Sequence, residues 1–188
     1  FAMHGLYVAS DEEDAKYPDF LRKAGKRLAK AQRKLSKKLK GSHNREKQRL
    51  RVAILHEKVA NQRRDFLHKK SRYLADHYDA IGIEDISVKA MAKRKKGGKF
   101  SFGKSVADNG WNMFTNMLEY KLAWQGKKLI KIDKWYPSSQ LCHVCGYQNH
   151  ETKDLSVREW DCPKCGSHHN RDKNAAINIR EEARRISA

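Results

Sequence analysis

The stretch Ala80-Ile81-Gly82-Ile83-Glu84-Asp85 decides the fold class of this chain. A short apolar run of this kind fits a buried strand, and this one ends on two acids. In α/β proteins, functional sites form at the carboxyl edge of the sheet, where the strands end. Because side chains alternate across a strand, Glu84 and Asp85 are expected to point to opposite faces. The stretch therefore predicts an α/β domain with an acid at its functional edge.

The segment before this strand has a helical pattern. Apolar residues recur at three- and four-residue steps over residues 21–39 and again over 44–78, with Gly41 and Ser42 between the two runs. This spacing predicts two long helices joined in a hairpin.

Extended and helical patterns also alternate in the rest of the chain. Short apolar runs predict strands at residues 5–9 and 128–132. Helices are predicted over 106–124, capped by Asp108 or Asn109 and ended by Gly126, and over 172–186. This order of elements indicates a mixed α/β domain.

The chain is strongly basic, with 41 Lys and Arg against 22 Asp and Glu and a formal net charge of +19. Residues 20–75 carry +17 of this charge, and the loop at 93–99 carries +5. Such an excess repels itself unless a polyanion neutralises it, so the composition favours a nucleic acid as partner. A merely solvated helical face is disfavoured, because such faces usually alternate charges of opposite sign. The loop at 93–99 is either a phosphate contact or a disordered segment.

Membrane and secretory classes are disfavoured by the hydropathy pattern. No apolar run approaches the roughly 18 residues of a transmembrane helix, and no basic-then-apolar signal segment opens the chain. Since the chain begins with Phe1 rather than Met, we expect it to be a fragment of a longer protein.

Two Cys-x-x-Cys pairs, each followed by a glycine, are separated by 16 residues. This spacing predicts a tetrahedral Cys₄ zinc site, whereas a redox dithiol would need only one pair. The ligands would be Cys142, Cys145, Cys162 and Cys165. Such a ribbon is either a structural zinc module or a direct nucleic-acid contact. Because four cysteines complete the metal shell, the nearby histidines are expected to lie on the surface: His143, His150, His168 and His169.

Two acids stand at positions that suit a catalytic carboxylate. Glu84 ends a predicted buried strand, and Asp172 begins a helix whose inner face is small and apolar. The residues alone leave two roles open for each. Glu84 is a catalytic acid or a counterion, and Asp172 is a catalytic acid or, more commonly at such a position, a helix N-cap.

Five stretches in combination resemble the RuvC-like nuclease region of TnpB, the protein of IS-type transposons, which compact type V CRISPR effectors share. They are NREKQRLRVAILHEKVANQRRDFLHKKS from Asn44, IGIEDISVKAMAK from Ile81, DNGWNMFTNMLEYKLAWQGKKL from Asp108, KWYPSSQLCHVCG from Lys134 and NRDKNAAINI from Asn170. The resemblance covers essentially the whole chain. It implies an RNase H-like α/β fold with a mixed sheet, a long basic helical hairpin, a zinc ribbon inserted before the last helix, and a missing first strand.

The resemblance also implies a division of the chain and a catalytic site. Residues 1–136 would form the RuvC-like nuclease domain, 137–169 the Cys₄ zinc ribbon and 170–188 the final helix. The family implies RNA-guided DNA cleavage by three carboxylates that hold two Mg²⁺ ions, for which Mn²⁺ can substitute. Glu84 in GIED matches the second acid and Asp172 in NRDKNAA the third, while the four cysteines match the zinc ligands.

The first acid of the family has no match in this chain. It is an Asp that ends the first strand, and it is expected directly before Phe1; neither Asp11 nor Asp14 occupies its place. Two neighbours of Asp172 keep open roles: Arg171 would neutralise a phosphate or pair with an acid at the sheet edge, and Asn174 is undecided.

The preferred hypothesis is the nuclease part of an RNA-guided DNA endonuclease, a cytoplasmic prokaryotic protein whose partners are DNA and a guide RNA. The second hypothesis is a nucleic-acid-binding module or RNA-guided DNA-binding regulator that does not cut, because the first catalytic acid is absent. The third is a structural subunit held by zinc.

Overall fold

The computed structural model describes residues 1, 5–11, 14–85 and 110–188. The basic loop predicted at 93–99, the start of the helix predicted at 106 and its predicted caps Asp108 and Asn109 lie outside the described residues.

The predicted helical hairpin is confirmed. Helix α1 (Phe20–Ser36) and helix α2 (His43–His77) are joined by a short turn in which Gly41 has φ +81°. The turn ends at Ser42, whose hydroxyl accepts the backbone N–H of Arg45 and so caps α2. The two helices are also joined by the buried side chain of Gln48, which donates to the carbonyl of Ala31 at 3.0 Å.

The central sheet consists of two parallel strands in the part of the chain that the structure describes. Strand β1 (Ala80–Glu84) pairs with strand β2 (Lys128–Ile132) in the register Ala80 to Lys128 through Glu84 to Ile132. Both strands therefore end at the same edge. Helix α3 (Trp111–Trp124) lies between them in the sequence and is followed by Gly126, whose φ of +68° permits the turn into β2.

The main core lies between α2, α3 and the N-terminal segment, which is made of residues 1, 5–11 and 14–19. Its fully buried side chains include Leu6, Leu67, Phe114 and Leu118. Trp111 joins two of these parts, because its indole N–H donates to the carbonyl of Leu6 at 3.2 Å.

The prediction of a strand at residues 5–9 is wrong. The backbone of this segment instead forms an isolated antiparallel bridge between Tyr7 and Ala15. Leu6 N–H donates to the carbonyl of Ala15 at 2.7 Å, and Ala15 N–H donates to the carbonyl of Tyr7 at 3.2 Å. The apolar residues of this segment indicate a strand, but their apolar character reflects the burial of Leu6 in the core.

The ribbon and the last helix are continuous in the sequence. Strand β3 (Glu159–Asp161) pairs antiparallel with strand β4 (His168–Asn170), and helix α4 (Arg171–Ser187) follows β4 directly. The N-cap of α4 is Asn170, whose side chain accepts the N–H groups of Asp172 and Lys173 at 3.1 and 3.2 Å. The N-cap role considered for Asp172 is therefore wrong, and its carboxylate lies in the first helical turn.

Helix α4 packs closely against β1 at Gly82. A Cβ at this position would lie 2.6 Å from Ala183 Cβ and 3.3 Å from the carbonyl oxygen of Ile179. We therefore expect Gly82→Ala to reduce the free energy of unfolding by about 1–3 kcal/mol, measured by urea denaturation. Gly25→Ala in α1 is the control, because nothing lies within 4 Å of its Cβ. This change should stabilise by up to about 1 kcal/mol through helix propensity. An equal response of the two variants would contradict the packing argument.

Among the described residues, the helices include none that is both long and apolar enough to cross a membrane.

Candidate functional site

Glu84 lies where the sequence predicted, at the carboxyl end of β1. It lines a cavity of about 490 Å³, which is bounded by β1, the inner face of α4 and the N-terminal segment, including Phe1 and Asp11. The hydroxyl of Ser138, which is buried, donates to Glu84 Oε1 at 3.0 Å. One oxygen of this carboxylate is therefore held by a fixed donor at the edge of the sheet.

Asp172 lies in the first turn of α4 and is exposed. Its Oδ2 is 3.7 Å from a guanidinium nitrogen of Arg158. At this separation, between exposed side chains, the ion pair contributes little to stability. The Asp172 carboxylate is therefore available to a stronger cation.

The packing of α4 relates these two acids. Gly82, in the middle of β1, faces Ile179 and Ala183 of α4. Glu84, at the end of β1, accepts a hydrogen bond from Ser138. The carbonyl of Ser138 in turn accepts a hydrogen bond from Asn178, which is nearer the amino end of α4. These contacts indicate that α4 runs antiparallel to β1, with its amino-terminal part toward the end of β1 that carries Glu84. Asp172 is about one and two-thirds turns before Asn178, about 9 Å along the helix axis.

The other acids considered near the N-terminus have partners. Asp11 accepts a hydrogen bond from the hydroxyl of Tyr78. Asp14 pairs with Lys173 Nζ at 3.0 Å and accepts the N–H of Ala9 at 2.9 Å. Within the described residues, the candidate metal-binding groups of three or more His, Cys, Asp or Glu consist of the four cysteines alone.

The four cysteines converge as their spacing predicts. Their Sγ atoms all lie within 4.8 Å of one another, with Cys142 3.7 Å from Cys165 and Cys145 3.5 Å from Cys162. A tetrahedral Zn²⁺ with Zn–S bonds of about 2.3 Å separates its sulfurs by about 3.8 Å. The donor set and its spacing therefore fit zinc.

The two cysteine knuckles, residues 142–146 and 162–166, have the same backbone geometry. Gly146 N–H donates to Cys142 O at 2.9 Å, and Gly166 N–H donates to Cys162 O at 2.8 Å. Both glycines have φ +72°, a left-handed conformation in which other residues are strained. This explains why a glycine follows each Cys-x-x-Cys pair.

The thiols differ in their acidity. Hydrogen bonding by the hydroxyl and backbone N–H of Ser167 lowers the pKa of Cys165 to about 6, whereas burial raises the pKa of Cys142. These hydrogen bonds favour the thiolate form of Cys165, which is the form that binds metals.

One prediction about the histidines is wrong. His143, His150 and His168 are exposed, as expected, but His169 is buried and its Nε2 lies 3.0 Å from Cys142 Sγ. Its ring also packs against Trp160 with ring centroids 4.6 Å apart. His169 supports the ribbon core beside a candidate metal-binding thiol, a role that metal-ligand spacing alone does not reveal.

Arg171 and Asn174, whose roles the sequence does not decide, both make defined contacts in the structure. The guanidinium of Arg171 is buried and donates to the carbonyl of Asp154 at 3.1 Å, so it holds the ribbon rather than a sheet-edge acid. The side chain of Asn174 is buried and bonds to Leu141 and His143, next to the first cysteine. No sequence motif marks Asn178 or Ser138, because their roles depend on contacts across 40 and 54 residues.

The basic hairpin, defined as α1 and α2 with their connecting turn, presents its charge to solvent. Of the 20 Lys and Arg in residues 20–75, 17 are exposed. Surface ion pairs with Glu46, Asp65 and Asp76 neutralise part of this charge. The hairpin therefore has the electrostatic character of a polyanion-binding surface.

Two family models match the chain. Residues 2–95 match the family described as "Probable transposase" (OrfB_IS605), and residues 111–179 match the "Cas12f1-like, TNB domain". The first covers the hairpin and β1, and the second covers α3, β2, the ribbon and the first half of α4.

Curated relatives agree with these matches. The chain is 43% identical over 174 residues to a Streptomyces pristinaespiralis protein named "Putative RNA-guided DNA endonuclease", covering 93% of this chain and 42% of that protein. It is 36% identical to InsQ of Escherichia coli K12, which carries the same description, over 82% of this chain and 40% of InsQ. It is 31% identical to the CRISPR-associated endodeoxyribonuclease Cas12f1 of Sulfoacidibacillus thermotolerans, over 74% of this chain and 32% of Cas12f1. The chain thus spans about two fifths of the length of the first two relatives.

Solved structures share the fold. A Cas12f1 chain from a cryo-EM complex with sgRNA and target DNA superposes with a TM-score of 0.57 at 23% identity, over 88% of this chain and 42% of that chain. A CRISPR-Cas12f ternary complex gives a TM-score of 0.54 at 20% identity, over 88% of this chain and 33% of that one. With the family models, these matches confirm the resemblance found in the sequence. The chain belongs to the TnpB-like family of compact type V effectors.

Proposed function

We propose that this chain is the nuclease part of an RNA-guided DNA endonuclease, with an RNase H-like fold and a RuvC-type carboxylate site. The proposal is supported by the position of Glu84 at the carboxyl end of β1 and of Asp172 in the first turn of α4, the helix that packs against β1. Acids that converge at the edge of a sheet suit hydrolysis of phosphodiesters with bound divalent cations.

Glu84 and Asp172 would hold the catalytic Mg²⁺ ions, because carboxylate oxygens are the ligands that Mg²⁺ prefers. When bound, a pair of such ions activates water and stabilises the leaving oxygen. The third carboxylate would come from the residue that precedes Phe1. Phe1 and Glu84 both line the same cavity, which supports the expected place of that residue in the sequence.

The four cysteines would hold a structural Zn²⁺. We propose the division 1–136 for the nuclease domain, 137–169 for the ribbon and 170–188 for the final helix. Because α4 follows β4 without a linker, zinc binding would order both the ribbon and the start of the helix that carries Asp172.

DNA and a guide RNA are the proposed partners, and the basic hairpin is the proposed surface for their backbones. Neutralising one exposed stripe of α1, with Lys23, Arg27, Lys30 and Lys34 all changed to Gln, should weaken binding and flatten its salt dependence. Each lost phosphate contact should make the slope of log affinity against log salt less negative by about 0.7–0.9.

Lys128→Gln, at the exposed start of β2 on the opposite edge of the sheet from Glu84, is the control for this stripe. It should leave the slope unchanged. Fluorescence anisotropy with labelled DNA and RNA between 50 and about 200 mM salt measures the effect. A slope that is flat for the wild-type chain would contradict nucleic-acid binding altogether.

The cleavage test uses the protein extended upstream of Phe1, a guide RNA and a DNA target that matches it. We expect nicking or cleavage with Mg²⁺ or Mn²⁺ and none with EDTA. A protein that binds this DNA tightly but leaves it intact would contradict the nuclease proposal.

The second candidate function, RNA-guided binding without cleavage, has one observation in its favour. The described residues contain no cluster of three converging carboxylates. The cleavage test separates the candidates, because the binder would occupy its target without nicking it.

A further inference from the structure

We infer that Ser138 is a positioning residue for the Glu84 carboxylate, and that the first cysteine knuckle holds Ser138 in place through α4. The inference rests on the proposed function, because it assigns Ser138 a part in the same carboxylate site. Its basis is a set of buried and partly buried hydrogen bonds that leads from Glu84 through Ser138 and α4 to the backbone of Leu141 and His143, the two neighbours of Cys142.

The first contact is that between Ser138 and Glu84. The Ser138 hydroxyl donates to Glu84 Oε1 at 3.0 Å, and Ser138 is only 5% exposed. A hydroxyl that donates to one carboxylate oxygen restrains the orientation of the group, and so it also limits where the other oxygen can lie. Ser138 can therefore set the direction from which Glu84 reaches a cation.

The backbone around Ser138 is held by tight turns. Ser138 N–H donates to the carbonyl of Tyr136 at 2.8 Å, and the carbonyl of Pro137 accepts the N–H groups of Gln140 and Leu141 at 2.9 and 3.2 Å. The proline also has a fixed φ. The segment that delivers the hydroxyl is therefore rigid.

Two amide side chains of α4 anchor this segment. Asn178 Nδ2 donates to the carbonyls of Ser138 at 2.8 Å and Leu141 at 2.7 Å, and Asn174 Nδ2 donates to the same Leu141 carbonyl at 2.6 Å. Because Asn174 and Asn178 are four residues apart, they share one face of the helix. Both are buried, at 1% and 6% exposure, so their hydrogen bonds are costly to lose.

The same amides reach the cysteine knuckle. Asn174 Oδ1 accepts the backbone N–H of His143 at 3.1 Å. Leu141 and His143 flank Cys142, so α4 holds the backbone on both sides of a predicted zinc ligand. A disturbance of the knuckle should therefore reach Ser138 and, through it, Glu84.

The test compares Ser138→Ala with Ser138→Thr, which keeps a hydroxyl, and with Ser139→Ala at the adjacent serine. In the protein extended upstream of Phe1, Ser138→Ala should raise the Mn²⁺ concentration for half-maximal cleavage about tenfold, because loss of an outer partner of a metal ligand weakens metal binding by that order. Saturating Mn²⁺ should recover most of the rate. Ser138→Thr should restore the metal dependence, and Ser139→Ala should leave it unchanged.

Two further measurements distinguish positioning from general stability. Direct Mn²⁺ binding, followed by electron paramagnetic resonance, should weaken in Ser138→Ala, while the thermal midpoint should stay near that of Ser139→Ala. Asn178→Ala should shift the metal dependence in the same direction, because it releases the backbone of Ser138.

Failure of the inference differs from failure of the proposed function. If the extended wild-type protein cleaves DNA but Ser138→Ala has the same Mn²⁺ dependence, the inference is overturned and the function stands. If the wild-type protein neither binds Mn²⁺ nor cleaves, the function and the inference fall together.

Discussion

Glu84→Gln is expected to abolish divalent-metal-dependent cleavage by the protein extended upstream of Phe1, with a loss of at least about 10³-fold in rate. Glutamine keeps the size of the side chain and can still accept from Ser138, but it removes the negative charge that a divalent cation needs. Asp172→Asn should have an effect of similar size. Guide-directed DNA cleavage measured under single-turnover conditions gives the rates.

Binding should be retained in both variants. Because the exposed charge of the basic hairpin is unchanged, guide RNA and DNA affinities should stay close to those of the wild-type protein. Glu119→Gln is the matched control, since Glu119 is exposed and pairs only loosely with Lys131, at 3.6 Å. If Glu84→Gln cleaved as fast as Glu119→Gln, Glu84 would not belong to the catalytic site.

Cys162→Ser is expected to abolish zinc binding and unfold the ribbon. Cys162 is buried in the ribbon core with Cys142 and Trp160, and a core this small depends on its metal. We expect about one zinc per wild-type chain and none in the variant, by elemental analysis. Exposure of Trp160, which is 7% exposed in the folded ribbon, should shift the tryptophan fluorescence to longer wavelength.

Val144→Ala is the control for this variant. Val144 lies in the same knuckle between two cysteines but is 59% exposed, so its truncation should change neither the zinc content nor the fluorescence. A Cys162→Ser chain that retained its zinc and its fluorescence would contradict the assignment of the metal site.

The elements that local pattern predicts well are those with a strong period or clear boundaries. Helix α2, predicted at 44–78, lies at His43–His77. The prediction is accurate because apolar residues recur at helical spacing over a long stretch and because Ser42 is a clear cap. Strand β2 was expected and found at Lys128–Ile132, just after a glycine that can adopt a positive φ. The convergence of the cysteines was likewise predictable, because the knuckle geometry is local to each Cys-x-x-Cys-Gly sequence.

The features that the sequence does not reveal depend on contacts between distant residues. Residues 5–9 look like a strand because Leu6 is apolar, yet their backbone pairs with Ala15. The sequence indicates a surface position for His169, because four cysteines already complete a metal site. In the structure its ring is buried and contacts the sulfur of Cys142. The bond from Ser138 to Glu84 joins residues 54 apart, and no local pattern encodes it.

The most direct test of the central claim, that Glu84 and Asp172 share one divalent-metal site, is Mn²⁺ binding followed by electron paramagnetic resonance. The protein extended upstream of Phe1 should bind two Mn²⁺ ions that are magnetically coupled, because two-metal sites hold their ions about 3.5–4 Å apart. Glu84→Gln and Asp172→Asn should each remove the coupling and weaken binding. Mn²⁺ binding and coupling that were the same in both variants as in the wild-type protein would contradict the account.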